Sequence, residues 1–204
     1  MATLTVITPT KGRPSLSATI ASVTPQLEHG DELIVVADLA HGPHPYARGL
    51  CRLAQDGCRG KVVYAELAVE GSQYGNAQRD FGLKLAGGSH LAFLDDDDVW
   101  TDDAGALIHE AIDLQPHYVH VFKAEWGPGH HAHGTILWKE PHFVEGQIGT
   151  PMVVWPRHHA MPRWMDSNER GVVSDFGWMS AALGATRIGW HPRIVATVRP
   201  EAQA

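Results

Sequence analysis

Residues 90–100 read HLAFLDDDDVW: an apolar run stops at four consecutive aspartates, Asp95 to Asp98, and resumes at Val99 and Trp100. The run is short and apolar on both parities, which fits a strand covered on both faces. Four ionised carboxylates side by side repel one another, and each close pair costs on the order of a few kcal/mol before solvent relaxes it. Open water, backbone amides or a cation must offset that cost. A solvated turn would account for one or two aspartates, with Asp98 or Thr101 capping the next helix. Four at the end of an all-apolar strand point instead to a hard divalent cation, Mg²⁺ or Mn²⁺. Such an ion is typically held by one or two carboxylates plus the phosphates of its substrate. Side-chain alternation lets Asp95 and Asp97 share a face while Asp96 turns elsewhere.

Upstream of this stretch the pattern is regular. TLTVIT (Thr3–Thr8) is β-branched and apolar, a buried strand broken by PTKGRP. Pro14 opens a helix carrying Leu16, Ile20, Val23 and Leu27, which Gly30-Asp31 ends. ELIVVAD is a second strand, Tyr46–Gln55 a short helix, KVVYAEL a third strand, Gly75–Ala86 a helix ended by Gly87-Gly88, and SHLAFLD a fourth strand. Strand and helix alternating over the first hundred residues predict an α/β fold: an open, mostly parallel Rossmann-like sheet flanked by helices. Downstream lie a helix (Asp102–Leu114), HYVHVFKAEW, a Gly/His-rich turn, TILWK, PMVVWP, a late helix (Ser174–Leu183) and a last strand RIVATV. Two aromatic strands around the turn suggest a hairpin in a smaller mixed or antiparallel lobe. With no internal repeat or linker, residues 1–204 read as one domain.

Ligands of open α/β sheets bind beyond the carboxyl ends of the strands. Strand one ends at Thr8-Pro9-Thr10 with Lys11 and Arg13 just after, strand two at Asp38, and strand four at the aspartates. These polar ends converge on one crevice. Lys11 and Arg13 either meet phosphate there or belong to a solvated loop.

The chain has 204 residues, 44% hydrophobic and 19% charged, which excludes wholesale disorder. Its net charge of −7 argues against a nucleic-acid groove, which needs clustered Lys and Arg. No run approaches the roughly 18 apolar residues of a membrane helix, and MATLTVITPTKGRP does not read as a signal peptide. The two cysteines, Cys51 and Cys58, read as a reduced, cytoplasmic pair rather than a disulfide. GxxxxGK[ST] and GxGxxG are both missing, so neither a P-loop nor a dinucleotide fingerprint is supported.

TVITPTKGRP, DELIVVAD, GNAQRDFGLKLAGGSHLAFLDDDDVW and VVSDFGWMSAAL together resemble the large inverting glycosyltransferase family with the GT-A fold, the one that includes cellulose and chitin synthases. The resemblance runs through Thr3–Trp100 and more loosely beyond. It implies a nucleotide-sugar-binding half (1–100) and an acceptor-binding half (101–204). Thr8, Pro9 and Thr10 would line the base and ribose pocket, Asp38 would reach base or ribose, and Arg79 would contact the nucleotide. Asp95 and Asp97 would form the Asp-x-Asp pair, Asp97 as metal ligand and Asp95 or Asp96 nearer the ribose or donor sugar. Asp175 falls where the family has its catalytic base; it also suits a helix N-cap. Three departures stand out: Asp80 for the usual Asn, Ser174 for the usual Glu, and no terminal histidine ligand after TVRP.

The implied activity is metal-dependent transfer from a nucleotide-diphospho-sugar, a UDP-sugar by family frequency, to a hydroxyl acceptor. A small molecule, glycan or lipid-linked glycan suits that acceptor better than nucleic acid. A nucleotidyltransferase making sugar nucleotides, or a non-catalytic sugar-binding module, are the alternatives. In the second half, Trp155, His158 and Trp164 are candidates for the acceptor region, alongside His159, Trp126, Trp138 and Trp178; aromatic faces stack on sugar rings, but tryptophans also fill cores, so one or two are expected at the site and the rest in the core. His130, His131 and His133 suit either a transition metal or a surface flap.

Overall fold

The structure is a computed structural model that describes residues 2–68, 75–126, 142–157, 161–164 and 174–198. Strand β1 (Leu4–Thr10) is buried throughout and pairs in parallel with β2 (Glu32–Asp38) on one side and β4 (His90–Phe93) on the other. Strand β3 (Lys61–Leu67) extends the parallel sheet beyond β2. The order β3-β2-β1-β4 reverses direction at β1, so a crevice opens between the carboxyl ends of β1 and β4. The sheet continues through β7 (Val153–Pro156), β6 (Val119–Trp126), β8 (Ile188–Val198) and the two-residue β5 (Val99–Trp100), eight strands in all among the described residues. Here β4–β7, β7–β6 and β8–β5 are antiparallel while β6–β8 is parallel. The expected mixed sheet is therefore present. TILWK, the expected hairpin partner of β6, lies outside the described residues.

Helices α1 (Leu16–Val23), α2 (Pro45–Gln55), α3 (Asn76–Leu85), α4 (Ala104–Leu114) and α5 (Ser174–Leu183) flank the sheet. Helix α3 lies close on β1: a Cβ at Gly82 would come within 2.5 Å of Ile7 Cγ2. Leu16, Ile20, Leu33, Ile34, Leu91 and Phe93 are fully buried in the core between the layers.

Several boundaries differ from the sequence reading, three of them for a definite physical reason. Helix α1 stops at Val23 rather than running to Leu27, because Pro25 has no N–H to continue the ladder, and the chain tightens into a 3₁₀ turn over Thr24–Gln26. Strand β4 ends at Phe93 because the aspartates begin to turn immediately. Strand β8 starts at Ile188, ahead of the expected Arg193, because the ladder absorbs Pro192 in an irregularity: Val121 faces Trp190 but Lys123 faces Ile194.

Candidate functional site

The aspartate turn is held from below. Leu94 N donates to Ile7 O (3.1 Å), Asp98 N to Asp95 O (3.1 Å), and Thr19 Oγ1 on α1 to Asp98 O (2.8 Å). Asp96 points inward. It is buried and accepts from Thr10 Oγ1 (2.7 Å), Lys11 N (3.3 Å) and Arg13 Nη1 (3.3 Å). Burial pushes its carboxyl above the usual range, with Thr10 and Arg13 pulling the other way. Asp95 and Asp97 face outward, with side chains 38% and 24% exposed. Asp97 pairs with Arg13 Nη1 at 2.9 Å, and Asp95 pairs with Arg79 Nη2. The repulsion between the aspartates is thus relieved by a hydroxyl, an amide and two guanidiniums.

Arg79 projects from the first turn of α3, whose start is set by Gly75 in the left-handed region (φ 77) against Pro9. The guanidinium is buried and lies over the Trp164 ring, 4.9 Å from its centre. Its neighbour Asp80 accepts from Trp164 N at 2.8 Å. Trp164 stacks on Trp178 of α5 (4.7 Å, 10°), Trp178 Nε1 donates to Pro162 O (2.7 Å), and Phe93 meets both indoles edge-on at 5.2 Å. Asp175 lies one turn before Trp178 and accepts from Phe176 N (2.7 Å). Burial raises its carboxyl above the usual range; the Arg79 charge lowers it and the Asp95 charge raises it further. Helix α5 therefore places Asp175 within electrostatic reach of the Arg79–Asp95 pair.

At the end of β2, Asp38 is buried, accepts from Ala40 N (2.9 Å) and offers its carbonyl to His44 Nε2–H (2.8 Å). The His44 ring also covers Gly12, where a Cβ would meet Nδ1 at 2.4 Å. His44 spans the ends of β1 and β2, and nothing in its local sequence distinguishes it. Thr8 Oγ1 is buried with no hydrogen-bond partner among the described residues, while Thr10 is committed to Asp96.

Two acceptor candidates fall elsewhere. Trp155 is 1% exposed on β7, packed edge-on against Trp178 and Phe143, and cannot offer a face to a sugar. Trp164 is 5% exposed, its ring taken up by Trp178 and Arg79. An indole in a strand and an indole at a crevice look alike in sequence, and packing decides between them. His158, together with His130, His131, His133, Trp138, His159 and the side chain of Trp126, lies outside the described residues.

The outward oxygens of Asp95 and Asp97 fit a hard divalent cation. No set of three or more His, Cys, Asp and Glu side chains is arranged to hold a metal among the described residues.

The profile of glycosyl transferase family 2 matches residues 5–151, and the chain belongs to that family. No curated protein matches the chain. Among solved structures it is similar to S. aureus TarS, with 18% identity and a TM-score of 0.71 over 96% of this chain and 36% of that one. The TarS 1–349 fragment in complex with UDP-GlcNAc gives the same identity and TM-score over 100% of this chain and 60% of that one. The mannosyltransferase PcManGT from Pyrobaculum calidifontis, in complex with GDP-Man and Mn²⁺, gives 13% identity and a TM-score of 0.61 over 98% and 58%. The chain thus spans 36–60% of these proteins, and at such identities the likeness shows the shared GT-A-type fold.

Proposed function

We propose that the chain transfers a sugar from a nucleotide-diphospho-sugar, foremost a UDP-sugar, to a hydroxyl acceptor with inversion, assisted by Mn²⁺ or Mg²⁺. The observation that carries this reading is the packed set that joins α5, which bears Asp175, through the Trp178–Trp164 stack to the Arg79–Asp95 pair beyond β4. The UDP-GlcNAc complex of TarS supports a uridine donor, and the GDP-Man complex of PcManGT keeps guanosine in the comparison. The acceptor class is a small molecule, a glycan or a lipid-linked glycan. The free thiols Cys51 and Cys58 support a reducing, cytoplasmic setting.

Thr8, Pro9, Thr10 and Asp38, buried at the ends of β1 and β2, would back the space for base and ribose from beneath, and Arg13 would pass from Asp97 to the diphosphate. Asp97, with Asp95, would hold the cation, which neutralises charge on the departing nucleoside diphosphate. Asp175 takes the proton of the acceptor hydroxyl as oxygen attacks the anomeric carbon from the face opposite the leaving group. Its raised affinity for protons suits a general base.

The test is nucleoside-diphosphate release from a panel of UDP- and GDP-sugars with Mn²⁺. Wild type should release it, and Asp175→Asn should be slower by about 10²–10⁴-fold, the usual worth of a positioned base. Activity should also fall with decreasing pH through the raised Asp175 value. Release of pyrophosphate instead would mark a nucleotidyltransferase.

A further inference from the structure

We propose that Asp80 is a positioning residue of the transfer centre: through Trp164 it holds Arg79 against Asp95 and fixes the helix that carries Asp175. The proposal rests on the transferase reading above. Consecutive residues of α3 grip the same partner at two points, Asp80 taking the Trp164 amide at 2.8 Å and Arg79 lying over its ring at 4.9 Å. The segment 161–164 has no regular secondary structure, so its placement depends on such anchors. The other side of the grip is Trp178, which stacks on Trp164 and donates to Pro162 O. Trp178 and Asp175 are three residues apart on α5, neighbours on one helix face. A continuous packed path therefore joins Asp80 to both Asp95 and Asp175.

Without an acceptor at position 80, the Trp164 amide loses its partner and the segment has reason to shift. The ring then no longer backs the Arg79 guanidinium, which also carries the ion pair to Asp95. Lys84 and Arg163 lie within electrostatic reach of Asp80. The bond needs only an acceptor oxygen, so an amide should serve as well as a carboxylate.

The experiment compares Asp80→Ala, Asp80→Asn and Trp164→Leu with wild type, reading nucleoside-diphosphate release and the near-ultraviolet circular dichroism of the stacked Trp164–Trp178 pair. Asp80→Ala should lose at least tenfold in kcat and weaken the indole signal, while Asp80→Asn keeps at least half of both. Trp164→Leu keeps the amide bond but removes the ring; it should lose kcat in the same direction, and it decides the matter should Asp80→Ala not fold. Wild-type kcat in Asp80→Ala or Trp164→Leu, or equal losses in Asp80→Asn and Asp80→Ala, overturns the proposal. Were wild type to release no nucleoside diphosphate, the transferase reading would fall by itself. The indole signal would still judge the linkage, an unchanged signal in Asp80→Ala refuting it.

Discussion

Asp96 and Asp97 are adjacent in the chain and opposite in surroundings. Asp96 takes three donors in a buried setting, so Asp96→Ala strands the Thr10 hydroxyl and the Lys11 amide. Leaving buried donors unpaired costs about 1–3 kcal/mol, which for a domain of this size lowers Tm by roughly 2–4 °C per kcal/mol. The Asp97 pair with a half-exposed Arg13 is a surface ion pair worth about 0–1 kcal/mol. Asp97→Ala should therefore leave Tm nearly unchanged, and under the proposed function it should remove activity. Thermal melts of the two variants beside their activities check both halves, and a larger Tm loss in Asp97→Ala than in Asp96→Ala would contradict this division.

At the level of elements, α3 is the part that the site depends on most. A side chain at Gly82 would overlap Ile7, so Gly82→Ala must push the helix off β1. Overpacking of this kind costs about 1–3 kcal/mol, and a urea midpoint equal to wild type would show that the helix gives way freely. The first hundred residues were legible because each strand there is a continuous apolar run closed by a polar end, and each helix is closed by Gly or Pro. Asp38 and the aspartates are legible for the same reason, since position at a strand end fixes where a side chain can go, whereas Arg79 is named by the family resemblance alone. That Asp96 turns away from Asp95 and Asp97 follows from side-chain alternation, but its bond to Thr10 does not, because a partner 86 residues away leaves no local pattern. Trp164 and Trp155 were misplaced since a tryptophan's burial depends on what packs over it. Among the described residues the short β5 pairs with β8, and the irregular β8 with β5 and β6, contacts that local propensity does not encode.

On the scale of the whole molecule, pH acts through histidines. His109 Nε2–H donates to Asp31 Oδ2 at 2.8 Å, and Asp31 also accepts from Leu4 N and Glu28 N, joining α4 to the starts of β1 and β2. That bond raises His109, so its stabilising share is complete below the ordinary histidine value of about 6.5 and fades as pH rises through the raised value. Burial lowers His90 and His191, and burial with the His191 contact lowers His120 to about 4. The folded state refuses the protons that these three accept on unfolding, so their effect is to lose stability on acidification. His120, displaced furthest, sets the direction, and each net proton is worth up to about 1.4 kcal/mol per pH unit. Asp80, Asp96 and Asp175, raised from the lower carboxyl range, act in the opposite direction at more acid pH. Between pH 7 and 5.5 the urea midpoint should therefore fall, and His120→Gln should narrow the fall. A midpoint that rises over that interval would refute the assignment.

The central claim is that the crevice between β1 and β4 receives a nucleoside diphosphate through Asp97 and a divalent cation. Calorimetric titration of UDP and GDP, with and without Mn²⁺, into wild type and Asp97→Ala tests it most directly. The account predicts that one nucleotide binds wild type, that binding needs Mn²⁺, and that Asp97→Ala loses it while remaining folded. Binding of neither nucleotide under any metal condition, or equal Mn²⁺-dependent binding in the variant, would contradict it.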